Sequence, residues 1–225
     1  MLLRLTLIFT LLTSPVFSQL NCSGGCSSSG VTLGPQYAVP TAFVSSITSG
    51  TQINWTGAST ANVSGALNFL TTNNAGSFSM EALQLNAPGS TPYSFVIQII
   101  PNFQLAGTGN AFAEVGLFFG DGTKFSTFGL VYQGANQPRF ITRTWSTFSS
   151  GVSNVNVGNS LGVFNASLYM KIRNDGTNRV TSFSMDGTNF TQFDSVGVNS
   201  FLTPSKVGIY LNQASMMVLT FTQGT

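Results

Sequence analysis

The chain has no histidine and only six carboxylates: Glu81, Glu114, Asp121, Asp175, Asp186 and Asp194. Without imidazole there is no Ser-His-Asp or Cys-His nucleophile system, no histidine metal site and no histidine general base. Glycosidic hydrolysis needs two carboxyl groups facing each other across the bond. Glu114 with Glu81, or Glu114 with Asp194, is the pair to consider. Glu114 abuts the apolar run Val115 to Phe119, and the simpler account puts it at the wet end of a strand. Asp121, Asp175 and Asp186 each precede a glycine, so turn geometry accounts for them. Calcium at these turns is the alternative reading. Each turn offers a single carboxylate, however, and calcium takes about six to eight oxygens. No cofactor is indicated.

Binding chemistry has more material. Sugar-binding surfaces often combine an aromatic face with neighbouring amides. The candidates are Trp145, Tyr132, Tyr169 and Tyr210, with Arg143 and Asn212 as polar neighbours. Tyr169 and Arg173, outward on one strand, could line a groove. The plainer reading of each aromatic is core packing or a solitary exposed ring. Trp55, within Asn54-Trp55-Thr56, reads as a strand residue at the edge of the domain.

The elements that must position these residues are strands. The run from Leu168 to Asn212 is three short alternating segments joined by Asp175-Gly176 and Asp186-Gly187. Asp-Gly between alternating segments is a strong hairpin signal, read here as a turn with both residues at positive φ. Leu168, Met170 and Ile172 should face inward, and Tyr169, Lys171 and Arg173 outward. Val207, Ile209 and Leu211 repeat the pattern, as do Tyr93, Phe95, Ile97 and Ile99. On the segment from Arg139 to Trp145, Phe140, Thr142 and Thr144 share one face. Ile141, Arg143 and Trp145 share the other. Val115 to Phe119 is almost continuously apolar, which predicts burial on both sides. No segment carries a sustained helical period with caps. The expectation is all-β: a two-sheet antiparallel sandwich of about 10–14 strands. Most of the 20 Phe would fill its core.

Residues 1–18 resemble a secretory signal peptide: Arg4, a short apolar core from Leu5 to Leu12, Pro15, and a cut before Gln19. The apolar run is shorter than the roughly 20 residues of a bilayer crossing, so no membrane insertion is expected after cleavage. Residues 19–36 are rich in Ser and Gly and read as a linker. The sandwich domain would occupy 37–225. Cys22 and Cys26 are a disulfide candidate in an exported chain, with free thiols the alternative. Five N-x-[ST] sequons occur, at Asn21, Asn54, Asn62, Asn165 and Asn189. Charged residues are only 6% and the net charge is +2. That leaves no basic stripe for nucleic acid and no strong steering field.

The segments Leu85-Asn86-Ala87-Pro88, Thr91-Pro92-Tyr93, Gly116-Leu117-Phe118-Phe119 and Phe128-Gly129-Leu130 follow a recognisable strand-turn scheme. Asp175-Gly176-Thr177-Asn178-Arg179, Met185-Asp186-Gly187-Thr188-Asn189-Phe190 and Phe201 to Gly208 continue it. In this scheme residues from about 40 to 225 resemble the concanavalin-A-like (laminin-G or jelly-roll type) sandwich modules of tailed-phage structural and host-recognition proteins. Ser184 to Phe190 is also similar to one hairpin of the accessory sandwich domains of secreted sugar-active enzymes. The resemblance implies a concanavalin-A-like jelly roll and carries no catalytic residue. With the leader, it implies a non-catalytic module, secreted or on a virion surface, whose partner is a glycan or cell-surface receptor. Two alternatives stay open: a structural or assembly subunit that forms a homo-oligomer, and a polysaccharide-active enzyme.

Overall fold

Strand alternation does most of the work in this chain. Leu168, Met170 and Ile172 are fully buried, while Tyr169, Lys171 and Arg173 between them are not. The structure, a computed structural model, describes residues 51–53, 59–63, 66–70, 80–103, 112–133, 138–149, 152–160, 167–212 and 214–224. The expected leader, linker, Cys22 and Cys26 lie outside these residues, as do Trp55 and the sequons at Asn21, Asn54 and Asn165.

Fourteen strands are formed among the described residues. They are β1 (Thr51–Ile53), β2 (Ser59–Val63), β3 (Ala66–Leu70), β4 (Glu81–Asn86), β5 (Tyr93–Asn102), β6 (Phe112–Gly120) and β7 (Phe125–Gln133). There follow β8 (Arg139–Trp145), β9 (Val152–Ser160), β10 (Leu168–Asn174), β11 (Asn178–Ser184), β12 (Thr191–Gly197), β13 (Lys206–Asn212) and β14 (Ser215–Gly224). Two seven-stranded sheets result. The first runs β1-β4-β13-β6-β7-β8-β9 and the second β12-β11-β10-β5-β14-β3-β2. Every pairing is antiparallel. Neighbours in the sheet are often far apart in the chain: β13 fits between β4 and β6, and β14 between β5 and β3. The result is the expected two-sheet, all-β sandwich.

The main core lies between the sheets. Leu83, Val115, Leu117, Phe119, Phe128, Leu130, Ile209 and Leu211 come from the first sheet; Phe95, Ile97, Ile99, Met170, Ile172, Met216 and Val218 come from the second. A run of rings crosses from sheet to sheet near one edge. Phe140 stacks on Phe183 at 4.3 Å and on Phe128 at 5.5 Å, and Phe128 meets Phe193 at 5.6 Å. The two buried rings, Phe128 and Phe140, each contribute about 1.5–3 kcal/mol by leaving water. A second cluster occupies the opposite face of the first sheet: Met80, Ala82, Phe118, Phe125, Trp145 and Tyr210. This explains the continuous apolar run of β6, in which residues 113–120 are all buried. Its odd positions serve the main core and Phe118 serves the second cluster.

Three hairpin turns share the sequence Asp-Gly-Thr: Asp121-Gly122-Thr123, Asp175-Gly176-Thr177 and Asp186-Gly187-Thr188. Each has a single positive φ, at its glycine, rather than two as the sequence had implied. The aspartate takes another role. Asp175 Oδ1 accepts the N–H groups of Thr177 (2.8 Å) and Asn178 (2.7 Å), and Asp186 Oδ1 accepts those of Thr188 and Asn189 (both 2.8 Å). Ser184 Oγ donates to Asp186 Oδ1 at 2.8 Å and accepts the Gly187 N–H at 3.0 Å. The Ser-x-Asp-Gly pattern is therefore a self-satisfied turn. Among the described residues no group of three or more His, Cys, Asp or Glu could hold a metal ion.

Two predictions follow from the last turn. Gly187 has φ +75°, and a Cβ there would lie 2.8 Å from the ring of Tyr169. Gly187→Val should cost at least about 1 kcal/mol in denaturant unfolding. Adding Tyr169→Ala should return only the steric part, because the backbone penalty stays; full recovery would rule out the φ contribution. The hydrogen bonds to Asp186, led by the Asn189 N–H, hold its carboxyl well below the ordinary value of 3.8. Their stabilisation is present above pH 3.8 and is lost as pH falls toward the folded value. Thermal melts should show Asp186→Asn less stable than the parent at pH 7, with the gap closing in strong acid. A gap independent of pH would show that the charge does not matter.

Candidate functional site

The residues named as binding candidates divide into two groups. Arg143 and Trp145 lie on β8, Tyr210 and Asn212 on β13, all on the outer face of the first sheet, and all four are buried. Arg143 Nε sits 2.9 Å from Glu114 Oε2, and the Tyr210 hydroxyl donates to Glu114 Oε1. The Trp145 indole N–H donates to Thr127 Oγ1 at 3.1 Å. Asn212 faces Glu114 across the β13–β6 register. The four residues come together as an internal network and not as the exposed face expected of a binding surface. The correction has a physical cause: this face of the first sheet is itself a core, so its polar groups must satisfy one another. Gly129 makes the room, since a Cβ there would stand 2.1 Å from the Tyr210 hydroxyl. Burial pushes Glu114 above its ordinary 4.5, against the pull of Arg143 and Tyr210. It also pushes Tyr210 well above 10, with the Glu114 charge adding to the rise.

Tyr132 and Tyr169 are half-buried. Tyr132 stacks on Phe103 at 5.7 Å against the main core. Tyr169 is the outward residue expected, yet its ring is seated over Gly187. Neither joins the other four residues in one site.

A different place has the makings of a site. Between the edges formed by β8–β9 and β11–β12, the sheets leave a cleft of about 50 Å³. Its first-sheet wall carries Ser126, Thr142 and Thr144, its second-sheet wall Arg179, Thr181 and Asp194. Phe119 forms part of the lining and Val155, Val196, Ser200 and Phe201 complete it. Arg179 is 2% exposed. Its Nη2 donates to the Ser200 carbonyl, and its guanidinium carbon lies 5.7 Å from the centre of the Phe119 ring. Nε and Nη1 have no hydrogen-bond partner, and neither has Thr181 Oγ1. Burial lowers the Arg179 pKa to about 10, so the group stays cationic at neutral pH. Asp194 Oδ2 accepts from Thr142 Oγ1 and Oδ1 from the Ser195 N–H, both at 2.9 Å. Phe201, in the loop between β12 and β13, has φ 70°. A bulky residue there is strained, and such strain gathers at binding sites.

These cleft residues, apart from Asp194, were not singled out from sequence. One signal was available. Phe183 packs on the main core, so inward alternation along β11 reaches Thr181 and Arg179, and an arginine at an inward position is uncommon. The bulge opposite Thr181 and Ser182 has its extra residue, Phe193, on β12, so the alternation of β11 itself is unbroken. Neither carboxylate pair weighed from sequence is formed. Glu81 shares the inner face of β4 with Leu83, whereas Glu114 lies on the outer face of the same sheet. Asp194 stands in the cleft.

No protein-family model matches the chain, and neither does any curated protein. Solved structures do. A functionally unknown protein from Saccharomyces cerevisiae matches with TM-score 0.56 at 10% identity, over 80% of this chain and 97% of that one. A bifunctional GH43-CE protein from Bacteroides eggerthii matches with TM-score 0.55 at 13% identity, over 75% of this chain but 22% of its own. Carbohydrate binding module CBM66 from Bacillus subtilis gives TM-score 0.49 at 12% identity, over 78% of this chain and 94% of that one. Identities this low show a shared β-sandwich fold and nothing of activity; the first two matches carry that conclusion.

The buried network gives a prediction. Arg143→Met strands a buried carboxylate and should cost about 3–5 kcal/mol in denaturant unfolding. Glu114→Gln in the same chain should restore much of it. In the single variant Glu114 is favoured in its protonated form. Its penalty should therefore be small below pH 4.5 and should grow as pH rises through the elevated folded value. A penalty that shrinks toward neutral pH would overturn the reading.

Proposed function

We propose that this chain is a non-catalytic recognition module that binds glycans, exported from the cell or displayed on a virion surface. The cleft at the sandwich edge carries the reading. It combines unpaired buried donors on Arg179, free hydroxyl capacity at Thr181, an acceptor carboxylate on Asp194 and aromatic rims. Polyhydroxylated ligands need that mixture, because each sugar hydroxyl both donates and accepts. Asp194 is the single carboxylate among the lining residues, whereas glycosidic hydrolysis calls for two across the bond. The polar, weakly charged composition and the leader-like residues 1–18 support an exported setting. So shallow a site binds weakly alone and gains strength through multivalency.

A second reading, a self-assembling subunit, is favoured by one observation. Strand β9 is a sheet edge without a charged residue, and Val155 and Val157 on it are 50% and 42% exposed. Bare edges of this kind invite pairing with another chain.

The discriminating experiment is a glycan array probed with the full chain presented multivalently, beside sedimentation velocity of the free chain. Binding to one sugar class is expected, and Phe201→Gly should weaken it while leaving the melting temperature nearly unchanged. Relief of the positive φ offsets the lost ring contacts in that variant. A silent array with concentration-dependent sedimentation would replace recognition with assembly.

A further inference from the structure

Arg179 is a buried cation that lines the cleft with donors its own chain does not use. One of its nitrogens is anchored by the Ser200 carbonyl and its flat face lies over Phe119. Two further nitrogens, Nε and Nη1, reach no acceptor. Among the described residues no carboxylate lies within ion-pair distance of it, and Asp194 acts on its charge only through space. A buried guanidinium held in this way is costly unless an anion completes it.

The cleft limits which anion. A volume of about 50 Å³ has room for only a few water-sized groups. It takes a carboxylate and an adjoining hydroxyl, but not a whole sugar ring, which would rest outside against Phe201 and Val155. The Asp194 carboxylate, beside Thr181 on the neighbouring strand, repels a dianion and accepts a hydroxyl. A ligand that satisfies both Arg179 and Asp194 therefore carries one negative charge with a hydroxyl beside it.

On the reading that the chain binds glycans, we infer that the cleft takes the carboxylate of a terminal uronic acid, with Arg179 as its cationic partner and Thr181 and Asp194 binding the neighbouring hydroxyl. This makes the module selective for acidic glycan ends. Specificity of this kind is strong, because a ligand without the carboxylate leaves the buried donors unpaired.

The test uses the full chain on an array bearing glucuronate-terminated chains, their methyl esters, glucose-terminated chains, sulfated glucose-terminated chains and a plain carboxylate-terminated linker. Glucuronate ends should bind about tenfold to a hundredfold better than the ester and glucose ends. Arg179→Met should remove that preference, and Thr181→Val, nearly isosteric, should weaken glucuronate binding in a folded chain. If Arg179→Met does not fold, the acid-against-ester comparison on the unaltered chain decides alone. Equal binding of acid and ester, or a preference for sulfated ends, overturns the uronate inference and leaves glycan recognition standing. Equal binding of the plain linker overturns it in favour of a general carboxylate pocket. Binding to none of the five overturns this inference, and the wider array then decides whether glycan recognition stands.

Discussion

The central strands of the first sheet, β6, β7, β8 and β13, are dry on both faces, and much of the structure follows from that. A strand pair in such a sheet has no wet side on which to place a charge, yet β6 carries Glu114 and β8 carries Arg143. Both are buried, so they are tolerable only as partners. Tyr210 donates to Glu114, Thr127 accepts the Trp145 indole N–H, and Gly129 leaves its place beside them empty. The aromatic residues around them, Trp145, Phe118 and Phe125, complete a second core whose polar centre fixes how β6, β7, β8 and β13 stand against one another.

The cleft is where the main core stops. Across most of the sandwich the two inner faces offer matched apolar residues. At the β8 and β11 positions beyond Phe140 and Phe183 the facing side chains change to Thr142, Thr144, Thr181 and Arg179. Hydroxyls and a guanidinium do not fill space as rings do, and a cleft of about 50 Å³ is left there. The stacked rings Phe128, Phe140, Phe183 and Phe193 brace the neighbouring wall, so the opening does not collapse. The loop after β12 contributes both the Ser200 carbonyl that orients Arg179 and the strained Phe201 at the rim. That loop is tied down by Val198 N–H to Thr177 O and by Ser205 N–H to Gly120 O, at 2.8 and 2.9 Å.

Local chemistry was legible along the chain. The alternation of Leu168-Met170-Ile172, the unbroken apolar run of β6 and the three Asp-Gly turns specify strands and hairpins by short-range rules: side chains alternate across a pleat, and glycine takes positive φ at little cost. Which face is wet is not a short-range property. Arg143 and Trp145 share the outer face of β8, opposite Phe140, just as their spacing implies, and spacing alone would leave that face to solvent. It is buried because the central strands of the first sheet pack on both sides. Arg179 and Thr181 are the converse case. Their strand is plain from the sequence, but their value as a site depends on β11 lying opposite β8, and on a loop some twenty residues later in the chain reaching back to hold the guanidinium. The sequence by itself determined an all-β sandwich, its turns and the poverty of its catalytic groups, since these rest on composition and on neighbours a few residues apart. Only the tertiary structure decided which polar residues pair inside the protein and which face a cleft, because that depends on contacts between strands distant in the chain, where the cost of an unpaired buried charge is set.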